Sequence, residues 1–345
     1  MIEASRPRSP MTAKPHDALF KAAFEQPQHS ADLFRSILPA PVTAAIVWET
    51  LTAEPASFID PELADRHGDL LFSAQLTPAQ LTPALGEQQT GNDRVLLYLL
   101  LEHQSSTDYD MPRRMLVYLV RIWERDHKEH AGPLRLIIPM VISHAPEGWT
   151  APVSFHALFG PPPNSVPGLA ALIPSFSILI EDLAHLSNED LLQRSLAAFP
   201  KLALWALRDA RDAARLLQNL EVWATAFQDA LQTPSGMEAV AQLLRYVALV
   251  AGELHFTEFR AKIASQLPEI EELTMTMAEE LRQEGRAEGR AEGRAEVLEK
   301  QLRLKFGELS EEHAARLQAA TDAQLALYVE RILTAESLAA VFTAD

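Results

Sequence analysis

Three polar residues lie at the ends of apolar segments, where carboxylates are uncommon. Asp69 opens the segment LLFSAQL, Glu102 closes the segment LLYLLLEHQ, and Gln104 follows two residues later. A carboxylate beside buried apolar residues is costly unless it is solvated or paired. If the two segments are neighbouring strands, the three side chains converge and form an oxygen-rich site suited to magnesium. Such a site supports phosphodiester hydrolysis, because the metal lowers the pKa of bound water. The alternative is that Glu102 only marks where a core strand reaches water.

The apolar pattern predicts the elements that would position these residues. In chain order we expect a helix from Asp17 to Leu38, a short strand over Ala44–Leu51, a strand over Asp69–Leu76, a loop over 77–93, a central strand over Arg94–Leu101, a helix over Met111–His130, and a strand over Leu134–Ser143. Pro139 indicates that part of the last strand lies at an edge or a bulge. From Asn188 onward the pattern is helical, over 189–199, 200–231, 236–253 and 256–266. The chain therefore combines an α/β or α+β first part with a helical second part.

Composition narrows the classes of function. The chain has 345 residues, which suggests about two domains, or one with appendages. It has no cysteine, which excludes disulfides, thiolate zinc sites, iron–sulfur clusters and a cysteine nucleophile. The formal charge of −17 repels nucleic acid at long range unless metal ions and a local basic face offset it. The N-terminal segment lacks the apolar run of a signal peptide, and no apolar run reaches the length of a membrane span, so we expect a cytoplasmic protein without membrane contact.

Several segments together resemble one protein family. They are HDALFKAAF at 16–24, ILPAPV at 37–42, GDLLFSAQ at 68–75, LLEHQSS at 100–106, MPRRMLVYLVRIWE at 111–124 and LIIPMVIS at 136–143. In this order and spacing they resemble the Rpn recombination-promoting nucleases, also labelled YhgA-like transposases, over roughly residues 14–230. The resemblance implies an α/β fold of the PD-(D/E)XK superfamily, with a restriction-endonuclease-like core. In that core a mixed sheet is flanked by helices, and an all-helical C-terminal part follows.

The resemblance also implies roles for the three polar residues. Asp69 and Glu102 would be the metal ligands and, with Gln104, the catalytic residues of a DNA endonuclease of low sequence selectivity. The metal would be Mg²⁺, with Mn²⁺ or Ca²⁺ as substitutes, and the biology would involve recombination or mobile elements. Gln104 takes the place of the usual lysine, and because an amide does not titrate, its role is reduced to positioning. Two alternatives stay open: a weakly active or inactive DNA-binding protein on a nuclease fold, and a helical interaction protein.

A basic helix face follows the EHQS motif. Arg114, Tyr118, Arg121 and Arg125 are spaced to lie on one side of the predicted helix. Residues 111–135 contain six Lys/Arg and three Asp/Glu, so this region is locally positive. The face could bind the phosphate backbone of DNA beside the site. The alternative is a solvated face on which Arg121 pairs with an acidic neighbour.

Three further residues are candidates for auxiliary roles. His16 and Asp17 begin the first helix, where Asp17 is either the N-cap or, with His16, a contact near the metal. His67 precedes Asp69 by two residues and would share its face, which makes it a candidate auxiliary base.

The composition and the family resemblance together imply five segments. We expect a disordered tail over 1–13, the nuclease domain over 14–232, a helical extension over 233–270, a helical linker over 271–300 and a small helical domain over 301–345. The linker contains the repeat EGRAEGRAEGRAE, whose glycines predict a weak helix or a flexible connector. The C-terminal helices are the expected contact of a homo-oligomer.

Overall fold

The computed structural model describes residues 15–56, 69–77, 94–102, 108–130, 132–318 and 320–343. The chain divides into two compact units, of which the first ends at Glu271 and the second begins at Glu272. The predicted tail at 1–13 and most of the predicted loop at 77–93 lie outside the described residues. None of the helices in the described ranges is long and apolar enough to cross a membrane.

A mixed sheet of five strands forms the centre of the first unit. The strands are β1 (Ile46–Glu54), β2 (Leu70–Leu76), β3 (Arg94–Glu102), β4 (Leu136–Ser143) and β5 (Leu179–Asp182), and they are adjacent in chain order. The β1–β2 and β2–β3 pairs are antiparallel, and the β3–β4 and β4–β5 pairs are parallel. The predicted mixed α/β sheet is thus confirmed. The strand predicted over Ala44–Leu51 begins and ends slightly later, and β5 was not predicted at all.

The first helical segment differs from its prediction. A single helix over Asp17–Leu38 was wrong, because the chain forms α1 (Pro15–Phe24) and α2 (Pro27–Ile37), followed by a short α3 (Ala40–Ala45). Pro27 has no backbone N–H and cannot continue α1, but it is well suited to the first turn of α2. Phe34 of α2 packs edge to face on Phe72 of β2, with ring centroids 6.4 Å apart.

The helix α4 (Met111–Glu129) covers the opposite face of the sheet and connects the parallel strands β3 and β4. Met115, Leu119 and Ile122 recur at helical spacing and pack on Leu96 and Val141 of the sheet. Pro139 lies in the part of β4 just before its pairing with β5 begins at Met140. This local edge agrees with the expectation for Pro139.

The remaining helices of the first unit are α5 (Asn188–Gln193), α6 (Ala198–Asp209), α7 (Ala213–Leu231), α8 (Gly236–Ala251) and α9 (Glu253–Gln266). The predicted helix over 200–231 is interrupted between α6 and α7, where Asp212 caps α7 by accepting the Arg215 amide. Trp205 of α6 and Trp223 of α7 stack with their ring centroids 5.3 Å apart, and α1 packs against α6 and α8.

The second unit contains α10 (Glu271–Phe306) apart from its first residue, together with α11 (Glu311–Gln318), α12 (Asp322–Thr334) and α13 (Leu338–Val341). Its core includes Leu298, Leu302, Leu325 and Val341. The helix α10 runs without a break through the GRAE repeat, which favours the helical alternative for that segment.

Candidate active site

The pairing of β2 with β3 brings Asp69 to the end of β3. Leu71 lies opposite Tyr98, so continued antiparallel pairing sets Asp69 opposite Leu100. Leu71 and Tyr98 both pack in the apolar cluster under α4. Alternation along each strand puts Asp69 and position 102 on this same face, as diagonal neighbours about 7–8 Å apart. The strand pairing on which the predicted convergence depends is therefore present.

The donor set at this strand end suits a hard cation. Asp69 is half-buried and offers carboxylate oxygens, and Glu102 is the last residue of β3. Gln104 and His67 lie outside the described residues. Within the ranges the structure describes, no three Asp, Glu or His side chains form a group that could hold a metal ion. Two carboxylates at one strand end are the kind of ligand that Mg²⁺ prefers, so the residues fit the ion, and the ligand roles of Asp69 and Glu102 stay predictions.

A buried tyrosine lies beside Asp69. The Tyr98 side chain is fully buried, and its ring meets Tyr118 of α4 edge to face at 6.2 Å between centroids. Burial raises the pKa of the Tyr98 hydroxyl well above its ordinary value of 10.0, and the facing carboxylate of Asp69 raises it further. The buried Tyr98 hydroxyl has no partner within hydrogen-bond distance in the part of the chain that the structure describes. The Asp69 carboxylate lies near enough to disfavour ionisation of the hydroxyl through its charge.

The predicted basic face of α4 is partly engaged within the chain. Arg114 forms an ion pair with Asp108 at 2.7 Å and donates to the Tyr118 hydroxyl at 3.1 Å. Tyr118 is buried, and Arg125 pairs with Glu129 one turn later at 2.7 Å. Arg121 is half-buried on the same helix. The role of Arg114, Tyr118, Arg121 and Arg125 in DNA binding stays a prediction.

Asp108 is held in its charged form by this arrangement. Burial opposes ionisation, but hydrogen bonds from Arg114 and from the Asp110 amide, together with the charges of two arginines, outweigh it. The pKa of Asp108 therefore lies below its ordinary value of 3.8. This ion pair places a fixed cation and anion at the N-terminal end of α4.

His16 and Asp17 lie at the start of α1. His16 Nδ1 is 2.9 Å from the Tyr246 hydroxyl, and the His16 ring is 4.7 Å from the ring of His144, which directly follows β4. Alternation puts His144 on the sheet face opposite Ser143, away from α4. Asp17 is buried and is the third residue of α1, so the N-cap interpretation was wrong, because the helix already begins at Pro15. A contact of either residue with the metal stays a prediction.

Comparison with known proteins places the chain in a family. The family model "Putative transposase, YhgA-like" matches residues 14–238, well over half of the chain. The chain belongs to this YhgA-like family. It is 28% identical over 276 residues to recombination-promoting nuclease RpnD of Escherichia coli O157:H7, covering 78% of this chain and 95% of the relative. It is 26% identical over 317 residues to recombination-promoting nuclease RpnA of E. coli K12, covering 88% and 97% respectively.

A third relative of this YhgA-like chain carries a different description. The inactive recombination-promoting nuclease-like protein RpnE of E. coli K12 is 26% identical over 273 residues, covering 79% of this chain and 83% of the relative. The similarity to RpnE is as high as the similarity to RpnA. Overall sequence identity therefore does not distinguish relatives named nucleases from relatives described as inactive. The residues of the candidate site must make that distinction. No solved structure matches the chain.

Sequence reasoning about this YhgA-like chain missed a polar pair at the same edge of the sheet. Glu102 pairs with Ser143, and Ser143 pairs with Asp182, so three strand ends form one row. The Asp182 carboxylate accepts His185 Nδ1–H and the Trp149 amide, both at 2.7 Å. The available signal was the sequence LIEDLAH, an apolar pair followed by Asp and His three residues apart.

Proposed function

We propose that the protein is a magnesium-dependent DNA endonuclease of the PD-(D/E)XK type that hydrolyses phosphodiester bonds with low sequence selectivity. The observation that carries the proposal is the β2–β3 register, which brings Asp69 and position 102 to one end and one face of the sheet. The order of elements supports it, because an antiparallel β1–β2–β3 meander is followed by α4 and a parallel β4. The relatives named recombination-promoting nucleases support it as well.

The proposal assigns a role to each polar residue. Asp69 and Glu102 hold Mg²⁺ through their carboxylates, and Mn²⁺ or Ca²⁺ can take its place. When bound there, the ion would neutralise charge on the phosphate and lower the pKa of its water. Gln104 orients the attacking water by a hydrogen bond, because its amide cannot accept the proton of that water. Any proton acceptor must therefore be the solvent or another residue, and His67 is the candidate.

Nicking of supercoiled plasmid tests this function. The wild-type protein should nick in Mg²⁺ and stop when a chelator is added, and mapped nicks should spread over many sequences. Asp69→Ala or Glu102→Ala should lower the rate at least about 100-fold, because each removes a charged ligand and little core volume. Glu124→Ala, which removes an exposed carboxylate of α4, is the matched control and should cut at the wild-type rate. Wild-type rates in both site variants would refute the proposed site.

A second candidate function is DNA binding on a nuclease fold with little or no activity. Two observations favour it: the similarity to RpnE, which is described as inactive, and Gln104 in the usual lysine position. Retained binding of a short duplex without nicking, in Mg²⁺ and in Mn²⁺ alike, would select this function. A cytoplasmic location, self-association through the C-terminal helices and a role in recombination stay predictions. Light scattering on the full chain would test the self-association.

A further inference from the structure

The apolar strand β3 contains one side-chain hydroxyl, and that hydroxyl lies beside Asp69. Tyr98 is fully buried in the cluster between the sheet and α4. A phenylalanine would fill the same space without burying an oxygen, whose burial without a partner costs about 1–3 kcal/mol. The hydroxyl therefore needs an acceptor, and the register of β2 and β3 sets Asp69 diagonally across from Tyr98 on the same face.

A second layer holds Tyr98 from the helix side. The Tyr118 ring packs edge to face on Tyr98. The Tyr118 hydroxyl accepts from both Arg114 Nε at 3.3 Å and Arg114 Nη2 at 3.1 Å. Arg114 is itself fixed by Asp108 at 2.7 Å. These contacts link Arg114 through Tyr118 to Tyr98. The buried Tyr98 hydroxyl has no hydrogen-bond partner of its own among the described residues and lies near the carboxylate of Asp69, just before β2.

We propose that Tyr98 is the positioning residue of Asp69: its hydroxyl donates to the carboxylate and fixes the orientation of the carboxylate. This inference rests on the proposed function, because it assumes that Asp69 is a metal ligand. A carboxylate with one oxygen held by a tyrosine presents its other oxygen to the ion in one orientation. Hydrogen-bond partners of metal ligands typically contribute about 10–100-fold to metal affinity. The proposal also assigns a role to Arg114 and Tyr118, which hold the Tyr98 ring in place from the side of α4.

The experiment measures Mn²⁺ binding by calorimetry on the full chain without DNA. Tyr98→Phe should raise the Kd for Mn²⁺ about 10-fold or more. Binding of a short DNA duplex in chelator should stay unchanged. Nicking should recover at saturating Mn²⁺, since the ligand itself is intact. Tyr328→Phe removes the hydroxyl of another buried tyrosine, in α12 of the second unit, and is the matched control for a tyrosine-to-phenylalanine change. It should leave the Kd for Mn²⁺ unchanged.

Two comparisons separate this inference from the proposed function. If Asp69→Ala leaves Mn²⁺ binding and nicking intact, the proposed site is wrong and the role of Tyr98 is wrong with it. If Asp69→Ala abolishes both but Tyr98→Phe binds Mn²⁺ as the wild type does, only the role of Tyr98 is refuted.

Thermal unfolding without metal gives an independent readout. In the Asp69→Ala background the Tyr98 hydroxyl has lost its acceptor, so Tyr98→Phe should raise the melting temperature. In the wild-type background the same change should lower the melting temperature or leave it unchanged. A shift of the same sign and size in both backgrounds would refute the contact, even if the single variant folds poorly.

Discussion

The buried carboxylate at the end of α6 predicts a large loss of stability from one substitution in the helical layer. Asp209 is fully buried and accepts two hydrogen bonds from Arg208, at 2.7 and 2.8 Å, and one from Asn219 at 3.2 Å. Arg215 pairs with the same carboxylate at 2.9 Å. The Arg208 side chain is only 1% exposed, so Asp209→Ala would leave a buried cation without its counter-charge.

The size of the effect follows from that burial. Breaking a buried ion pair by removing one partner costs about 3–5 kcal/mol. In a domain of this size each kcal/mol lowers the melting temperature by about 2–4 °C, so the first unit should melt about 6–20 °C lower. Glu129→Ala removes the partner of Arg125 in a largely exposed pair of α4 and should cost less than about 0.5 kcal/mol. This contrast tests whether burial, rather than the presence of an ion pair, sets the energy.

Denaturant unfolding followed by circular dichroism measures both variants. The double variant Arg208→Met with Asp209→Leu should recover part of the loss, because apolar side chains of similar volume need no counter-charge. An Asp209→Ala variant that loses no more stability than Glu129→Ala would refute the reasoning. It would mean that water reaches Arg208 once the carboxylate is gone.

Two further substitutions test local features near the candidate site. Gly148→Ala should lower the free energy of unfolding more than Gly168→Ala does. Both glycines have positive φ, of 76° and 84°, but an added Cβ would lie 2.2 Å from His185 Cε1 at Gly148 and would meet no atom at Gly168. Thermal unfolding of the two variants separates the backbone strain, about 1–3 kcal/mol in each variant, from the added clash at Gly148. Equal losses of stability would mean that the His185 ring moves aside without cost. Asp108→Asn should destabilise the folded protein at neutral pH, because the pKa of Asp108 is lowered in the folded state. The difference in stability between the variant and the wild type should vanish as the pH falls through that pKa, below 3.8. A difference that persisted at lower pH would contradict the ion pair as its source.

The central elements could be predicted because their patterns are long and unmixed. The run RVLLYLLL has too few polar residues for a surface helix, and β3 is buried on both faces in the structure. The helix α4 carries Met115, Leu119 and Ile122 at helical spacing, and its bounds were predicted to within one residue. The strand β5 was missed because its four residues include Glu181 and Asp182, and only pairing with β4 makes them a strand.

Only those parts of the candidate site that depend on the spacing of residues within neighbouring segments could be predicted. Asp69 and Glu102 lie at opposite ends of two consecutive strands, and antiparallel pairing necessarily brings those ends together. The position of the Tyr98 hydroxyl could not be predicted, because a tyrosine within an apolar run is most simply interpreted as a core residue. The partner of Arg114 was also missed, since Asp108 precedes α4 in a turn and meets the arginine only through the folded geometry.

The charges of α4 bear on how an acidic chain could hold DNA. The formal charge is −17, and the cations of Arg114 and Arg125 already face the carboxylates of Asp108 and Glu129. A phosphate that binds either arginine must therefore compete with an internal carboxylate, so each contact gains less than one with a solvated cation. Under the proposed function, much of the positive charge that a phosphate needs at this edge must then come from a bound divalent cation. Under the same proposal, the internally paired arginines of α4 and the two carboxylates at the strand end predict that DNA binds more tightly when the metal is bound.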